Sequence, residues 1–76
     1  MKNTQGQFAI KAYSKRELAM LYFPDIEPES ATRQLQLWID RCTALSDALR
    51  ASNYIHRQRI LTPKQVRLIV DYLGEP

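Results

Sequence analysis

Residues 57–76 read RQRILTPKQVRLIVDYLGEP, and this closing stretch decides how the chain divides. Thr62 stands where its hydroxyl can cap a helix, Pro63 takes the first helical position, Gln65 completes the reciprocal box, and Gly74 and Pro76 lie past the end. A terminal helix follows. Val66, Ile69, Val70 and Leu73 form its core face, with Lys64, Arg67 and Asp71 opposite and Arg67 set four residues before Asp71 for pairing. Upstream lies a basic run: Arg50, Arg57, Arg59, Lys64 and Arg67, with no Asp or Glu between Asp47 and Asp71. Such a run is either a solvated surface or a place where phosphate is met.

The segment 54–61, YIHRQRIL, carries β-favouring Tyr54, Ile55 and Ile60 around a polar centre and reads as extended chain. Its expected partner is FAIKAY at 8–13, where Phe8, Ile10 and Ala12 alternate as in an edge strand. Ser14 then stands three residues before Glu17, the reciprocal cap of a helix over 15–22 with Leu18, Leu21 and Tyr22 on one face. The stretch 23–30, FPDIEPES, reads as an eight-residue connection because it holds two prolines and three acids.

Beyond that connection, Ala31, Leu35, Trp38, Ile39 and Cys42 recur at the spacing of one buried helical stripe, leaving Arg33, Gln34, Leu37 and Asp40 outside. A third helix begins behind Thr43 as cap, carries Ala44, Leu45, Ala48 and Leu49, and stops near Ser52 and Asn53. Tyr13, Tyr22 and Tyr54 read as boundary residues whose hydroxyls need partners. The expected organisation is a flexible N-terminus over 1–7 and a single small helical domain over 8–76. Its class is mainly α, three to four helices, winged-helix-like, with a short two-stranded β ribbon.

With 76 residues, 45% of them hydrophobic, the chain has room for one small core, since a domain this size buries only about 60% of its unfolded surface. Eleven Lys and Arg against eight Asp and Glu give a net charge of +3. The lone Cys42 makes no intramolecular disulfide, which suits a reducing cytoplasm, and neither a signal peptide nor a membrane span is legible. Only two glycines occur, none in a phosphate-cradling loop, and His56 stands alone between Ile55 and Arg57. No enzyme activity, catalytic residue, metal ligand or cofactor is expected. The alternating Asp25, Glu27 and Glu29 read as a solvated loop.

Arginine suits phosphate because its planar fork takes two oxygens at once, and the same fork reads the O6 and N7 edge of guanine as glutamine reads adenine. On that chemistry Arg57, Arg59, Lys64 and Arg67 are the expected backbone contacts. Arg33 and Gln34, with Leu37 beside them, are the base-edge candidates. The expected partner is double-stranded DNA, with a homodimer or a protein partner adding affinity. The rival expectation is a protein-interaction module using Leu37, Met20 and the tyrosines, the basic run then serving an acidic partner or solubility.

AYSKRELAMLYFPD (12–25), LQLWIDRC (35–42) and LTPKQVRLIVDYLGEP (61–76) resemble a family of short proteins from Bacteroides-type bacteria catalogued only as a domain of unknown function. The likeness covers about residues 8 to 76 and brings no activity with it. More distantly, YSKRELA resembles the first helix of mercury-resistance-type regulators and phage excisionases, SATRQLQLWI their recognition helix, and RILTPKQVRLIV the helix after their wing. That resemblance implies a base-reading role for Arg33 and a wing position for Arg57 and Arg59. The chain departs from it in the long connection 23–30, in a wing without glycine or an Arg-x-Tyr ending, and in the helix before the wing.

Overall fold

A computed structural model describes residues 8–76; the expected flexible stretch 1–7 lies outside the described residues. The order is β1 (Tyr13–Ser14), α1 (Lys15–Tyr22), α2 (Pro28–Arg41), α3 (Thr43–Ala51), β2 (Ile60–Leu61) and α4 (Pro63–Leu73). The two strands pair antiparallel, Tyr13 opposite Leu61 and Ser14 opposite Ile60. This is the small, mainly α domain with a two-stranded ribbon that the sequence implies.

Helices α1 and α4 start where local chemistry says they should. Ser14 Oγ accepts from the Glu17 N–H at 2.9 Å while Glu17 Oε1 accepts from the Ser14 N–H at 2.9 Å. That backbone bond, ahead of the side-chain one, holds the Glu17 carboxyl below its usual range. Thr62 and Gln65 repeat the box at the head of α4, and Gly74 closes that helix at φ 88, where a side chain would be strained. Each strand of the ribbon thus runs directly into a capped helix.

One buried cluster joins everything: Leu18 and Ala19 of α1, Ala31, Leu35 and Ile39 of α2, Leu45 and Leu49 of α3, Leu61 of β2, and Val66 and Ile69 of α4. Burial of a Leu- or Val-sized side chain is worth about 1.5–3 kcal/mol, so this cluster supplies the main stabilising term. Helices α1 and α2 form the most extensive helix pair, and α3 bridges from α2 to α4.

Several local expectations are corrected. The strand expected at 8–13 is confined to Tyr13–Ser14, because only these residues meet β2; Phe8 instead stacks on the Tyr13 ring at 5.2 Å and Ile10 is exposed. Within 54–61 only Ile60–Leu61 is strand, since Gln58 N–H turns back to the Ile55 carbonyl at 3.0 Å and folds the middle into a turn. The eight-residue connection shrinks to 23–27, because Pro28 occupies the first helical position of α2 and Glu29 sits in its first turn, where the helix dipole favours an acid.

Leu21 is exposed and Ala19 takes its place, as the buried face of α1 runs Lys15, Leu18, Ala19. Trp38 is not a core residue: it is 36% exposed, its ring set edge-on to Phe23 at 4.8 Å on the flank of α2. Cys42 is half-buried and is both the last cap of α2 and the first of α3, so Thr43 is the first helical residue and caps nothing. Helix α3 does stop at Ser52 and Asn53, the latter in the left-handed region at φ 69 that Asn tolerates.

Candidate phosphate-binding groove

An open groove of about 860 Å³ runs between the start of α1, the first half of α2 and the segment leading into β2. Arg16 comes from α1, Arg33 from α2, and Arg57 and Arg59 from the segment; Lys15, Glu29, Thr32 and His56 complete the wall. Four arginines and one lysine therefore face one glutamate. Among the described residues Arg50 pairs with Asp47 at 3.6 Å, and the His56 ring nitrogen lies 4.0 Å from an Asp40 carboxylate oxygen. None of the four groove arginines takes part in either, and all four are exposed.

Helical geometry explains which residues of α2 reach the groove. Glu29, Thr32 and Arg33 follow the i, i+3, i+4 spacing of one face. Gln34 is turned about 100° onward from Arg33 and is half-buried, and Leu37 stands between them on the exposed flank. Of the six expected contact residues the groove gathers Arg33, Arg57 and Arg59, whereas Gln34, Lys64 and Arg67 stand outside its wall. Lys64, Arg67 and Asp71 are exposed on α4, and the expected pairing of Arg67 with Asp71 does not reach ion-pair distance among the described residues.

The segment bearing Arg57 and Arg59 is held by polar side chains. Lys15, only 8% exposed, donates from Nζ to the His56 carbonyl at 2.7 Å and to Gln36 Oε1 at 2.9 Å, and its backbone N–H donates to the Arg59 carbonyl at 2.7 Å. Its ammonium also lies over the Tyr54 ring at 5.1 Å. Tyr54 OH donates to Gln36 Oε1 at 2.9 Å, and Gln36 Nε2 donates to Asp40 Oδ1 at 3.0 Å. Burial pushes the Lys15 pKa below the usual lysine value, and the Asp40 carboxylate acts in the opposite direction. On the far side, Gln58 Nε2 donates to Gln65 Oε1 at 2.6 Å and to the Ile60 carbonyl at 2.7 Å, while Gln65 Nε2 donates to the Ser52 carbonyl at 3.3 Å.

Arg16 and Lys15 were absent from the sequence-derived set. A signal for them exists: they are the first two residues of α1, where a cation opposes the helix dipole at a cost of about 0.3–1 kcal/mol.

The three boundary tyrosines all find internal partners. Tyr13 OH donates to the Ala9 carbonyl at 2.9 Å, Tyr22 OH to the Gly74 carbonyl, and Tyr54 OH to Gln36. Met20 packs against the core.

Fold and groove define the class: a small four-helix domain with a two-residue ribbon and one polycationic face. The chain belongs to the DUF4248 family, a domain of unknown function, whose family model matches residues 9–76. That bears out the resemblance to a family catalogued only as a domain of unknown function. No curated protein and no solved structure matches the chain. No helix among the described residues is long and apolar enough to cross a membrane, and these residues hold no cluster of three or more metal-binding side chains.

Proposed function

We propose that this domain is a non-enzymatic DNA-binding accessory module that grips duplex DNA through backbone phosphates lodged in the groove. One observation carries the reading: Arg33 of α2 and Arg57 and Arg59 of the basic segment, distant in sequence, line the same groove together with Arg16, and none is neutralised by an acid within ion-pair reach among the described residues. Arg16, Arg57 and Arg59 serve as phosphate contacts, and Arg33, on the helix that follows α1 across a short connection, serves as a contact to phosphate and to a base edge as well. A helix beside a ribbon segment is also how helix-turn-helix and winged domains present their contacts, which supports the distant likeness noted in the sequence. About four phosphate contacts bind weakly at physiological salt, so a second copy or a protein partner supplies the remaining affinity.

A protein-interaction role draws less support, because Met20 packs on the core and Tyr13, Tyr22 and Tyr54 are bonded within the domain, which leaves Leu37 and Tyr72 as the exposed members of that set.

Fluorescence anisotropy of a labelled mixed-sequence duplex, titrated at several salt concentrations, tests the reading. Four contacts give a slope of log K against log salt of about −3.6, so affinity falls roughly a hundredfold between about 50 and 200 mM. Changing Arg57 and Arg59 together to Ala lowers that slope by about 2. Absence of binding at low salt, or a slope indifferent to the double change, overturns it.

A further inference from the structure

Two of the groove arginines sit on a segment with almost no regular structure, so something must hold it. The ribbon fixes its end at Ile60, and Gln58 and Gln65 tie its middle to α4. What remains is the His56–Arg57 turn, whose nearest anchor is the side chain of Lys15.

Lys15 is an unexpected occupant of a buried position. Removing an ammonium from water is strongly unfavourable unless its protons are satisfied, and an apolar side chain of similar length would fill the same space without that cost. Here two of the three ammonium protons have oxygen acceptors, at 2.7 and 2.9 Å, and the charge lies against the face of Tyr54. The acceptors belong to different parts of the chain: the His56 carbonyl to the segment, Gln36 Oε1 to α2. Gln36 is kept oriented by Tyr54 OH and by Asp40. A charge with several donors can join these groups at once, whereas a neutral apolar side chain cannot.

We infer that Lys15 is the positioning residue of the groove: its buried ammonium ties the His56 carbonyl to α2, fixing the turn that presents Arg57 and Arg59 to phosphate. The functional half of this inference rests on the phosphate-binding reading; the structural half does not. Lys15 acts through the segment rather than by touching the ligand. The backbone bond from Lys15 to Arg59 is independent of the side chain, so a substitution at this position removes the hold on the His56 carbonyl and leaves the ribbon and the 4.0 Å approach of the His56 ring to Asp40 in place.

Lys15→Met keeps an unbranched side chain, one atom shorter, and deletes its donors. In an isotope-labelled protein without DNA, the variant retains the amide shifts of α3 and α4, while the amides of 56–58 move toward averaged positions and exchange faster. Duplex affinity falls about tenfold, from the cost of immobilising two arginine side chains on binding, with the salt slope unchanged because the number of phosphates met is the same. Lys15→Gln, which keeps a neutral NH2 donor group on a shorter stem, recovers part of that loss. Should Lys15→Met fail to fold, Lys15→Gln and Gln36→Leu carry the same measurements.

Unmoved amides at 56–58 with unchanged affinity in a folded variant overturn the inference while leaving the phosphate reading intact. If the wild-type protein binds no duplex at low salt, the phosphate reading falls, and the amide spectra of the free proteins still decide whether Lys15 holds the turn.

Discussion

Helix α1 keeps different company at its two ends. At its C-terminal end Tyr22, Phe23 and Trp38 form an aromatic cluster, the Tyr22 and Phe23 rings lying at 6.4 and 4.8 Å from that of Trp38, and the Tyr22 hydroxyl is bonded to the Gly74 carbonyl. At its N-terminal end Lys15 donates to two oxygen acceptors, yet Arg16 beside it and three further arginines across the groove carry charge with no acid at ion-pair distance among the described residues. The aromatic end joins α1, α2 and the end of α4 with groups the domain supplies itself. The other end is built from groups the domain positions but does not neutralise, and under the phosphate-binding proposal this separates a structural surface from a binding one.

Trp38→Ala tests that division most strongly. Full truncation of a buried Trp costs about 3–5 kcal/mol, and because Trp38 is 36% exposed the expected loss is about 2–3 kcal/mol in denaturant unfolding. Duplex binding by the folded variant should be unchanged. A loss of affinity without unfolding would mean that the aromatic end also contacts the ligand.

Alkali sharpens the comparison, because each end holds a half-buried tyrosine whose pKa is pushed up to about 12, chiefly by burial: Tyr22 at the aromatic end and Tyr54 beside the groove. A group whose folded pKa is raised stabilises the fold fully below its unfolded value near 10 and loses that contribution as pH climbs toward 12. Lys15 has the opposite sign. Its lowered pKa makes the charged form unfavourable in the folded state, so stability rises with pH from its folded pKa up to 10.5. The net fall therefore falls in the upper part of the window, above 10.5, and should coincide with the rise of tyrosinate absorbance. Tyr22→Phe and Tyr54→Phe should each move the alkaline transition upward; a transition indifferent to both would discount burial of the hydroxyls.

The smallest expected effect belongs to Lys64 and Arg67, the two basic-run residues that the groove leaves out. Their joint change to Ala should leave the salt slope within about 0.5 of the wild-type value. A drop near 2 would extend the contact surface onto α4 and erase the boundary drawn around the groove.

Much of this was legible where the chemistry is local. Helix α1 over 15–22 and the start and stop of α4 follow from capping residues that act within a single turn. The parts that went astray depend on distant partners. Alternation at 8–12 looks like a strand until one finds that only Tyr13 and Ser14 have a neighbour to pair with, and Trp38 has core spacing but lies where α1 has already ended. Pro28 was read as a breaker although a first-turn proline is equally at home starting a helix. For the site, the acid-free run holds Arg57 and Arg59, which line the groove, together with Lys64 and Arg67, which do not, since charge counted along a chain does not record which way a following helix turns its faces.

The ribbon is only two residues long on each side, yet it joins the first described strand to the last and so encloses α1, α2 and α3 in one loop. Closing a loop of that length has an entropic cost, which the helix contacts within it reduce by drawing its ends together. The groove straddles that closure, with Arg16 on one bank and Arg57 and Arg59 on the other. A polyanion seated there holds the loop shut as well as being held, so binding and folding are linked: at a hundredfold excess over Kd the ligand adds about 2.7 kcal/mol to the stability of the whole domain.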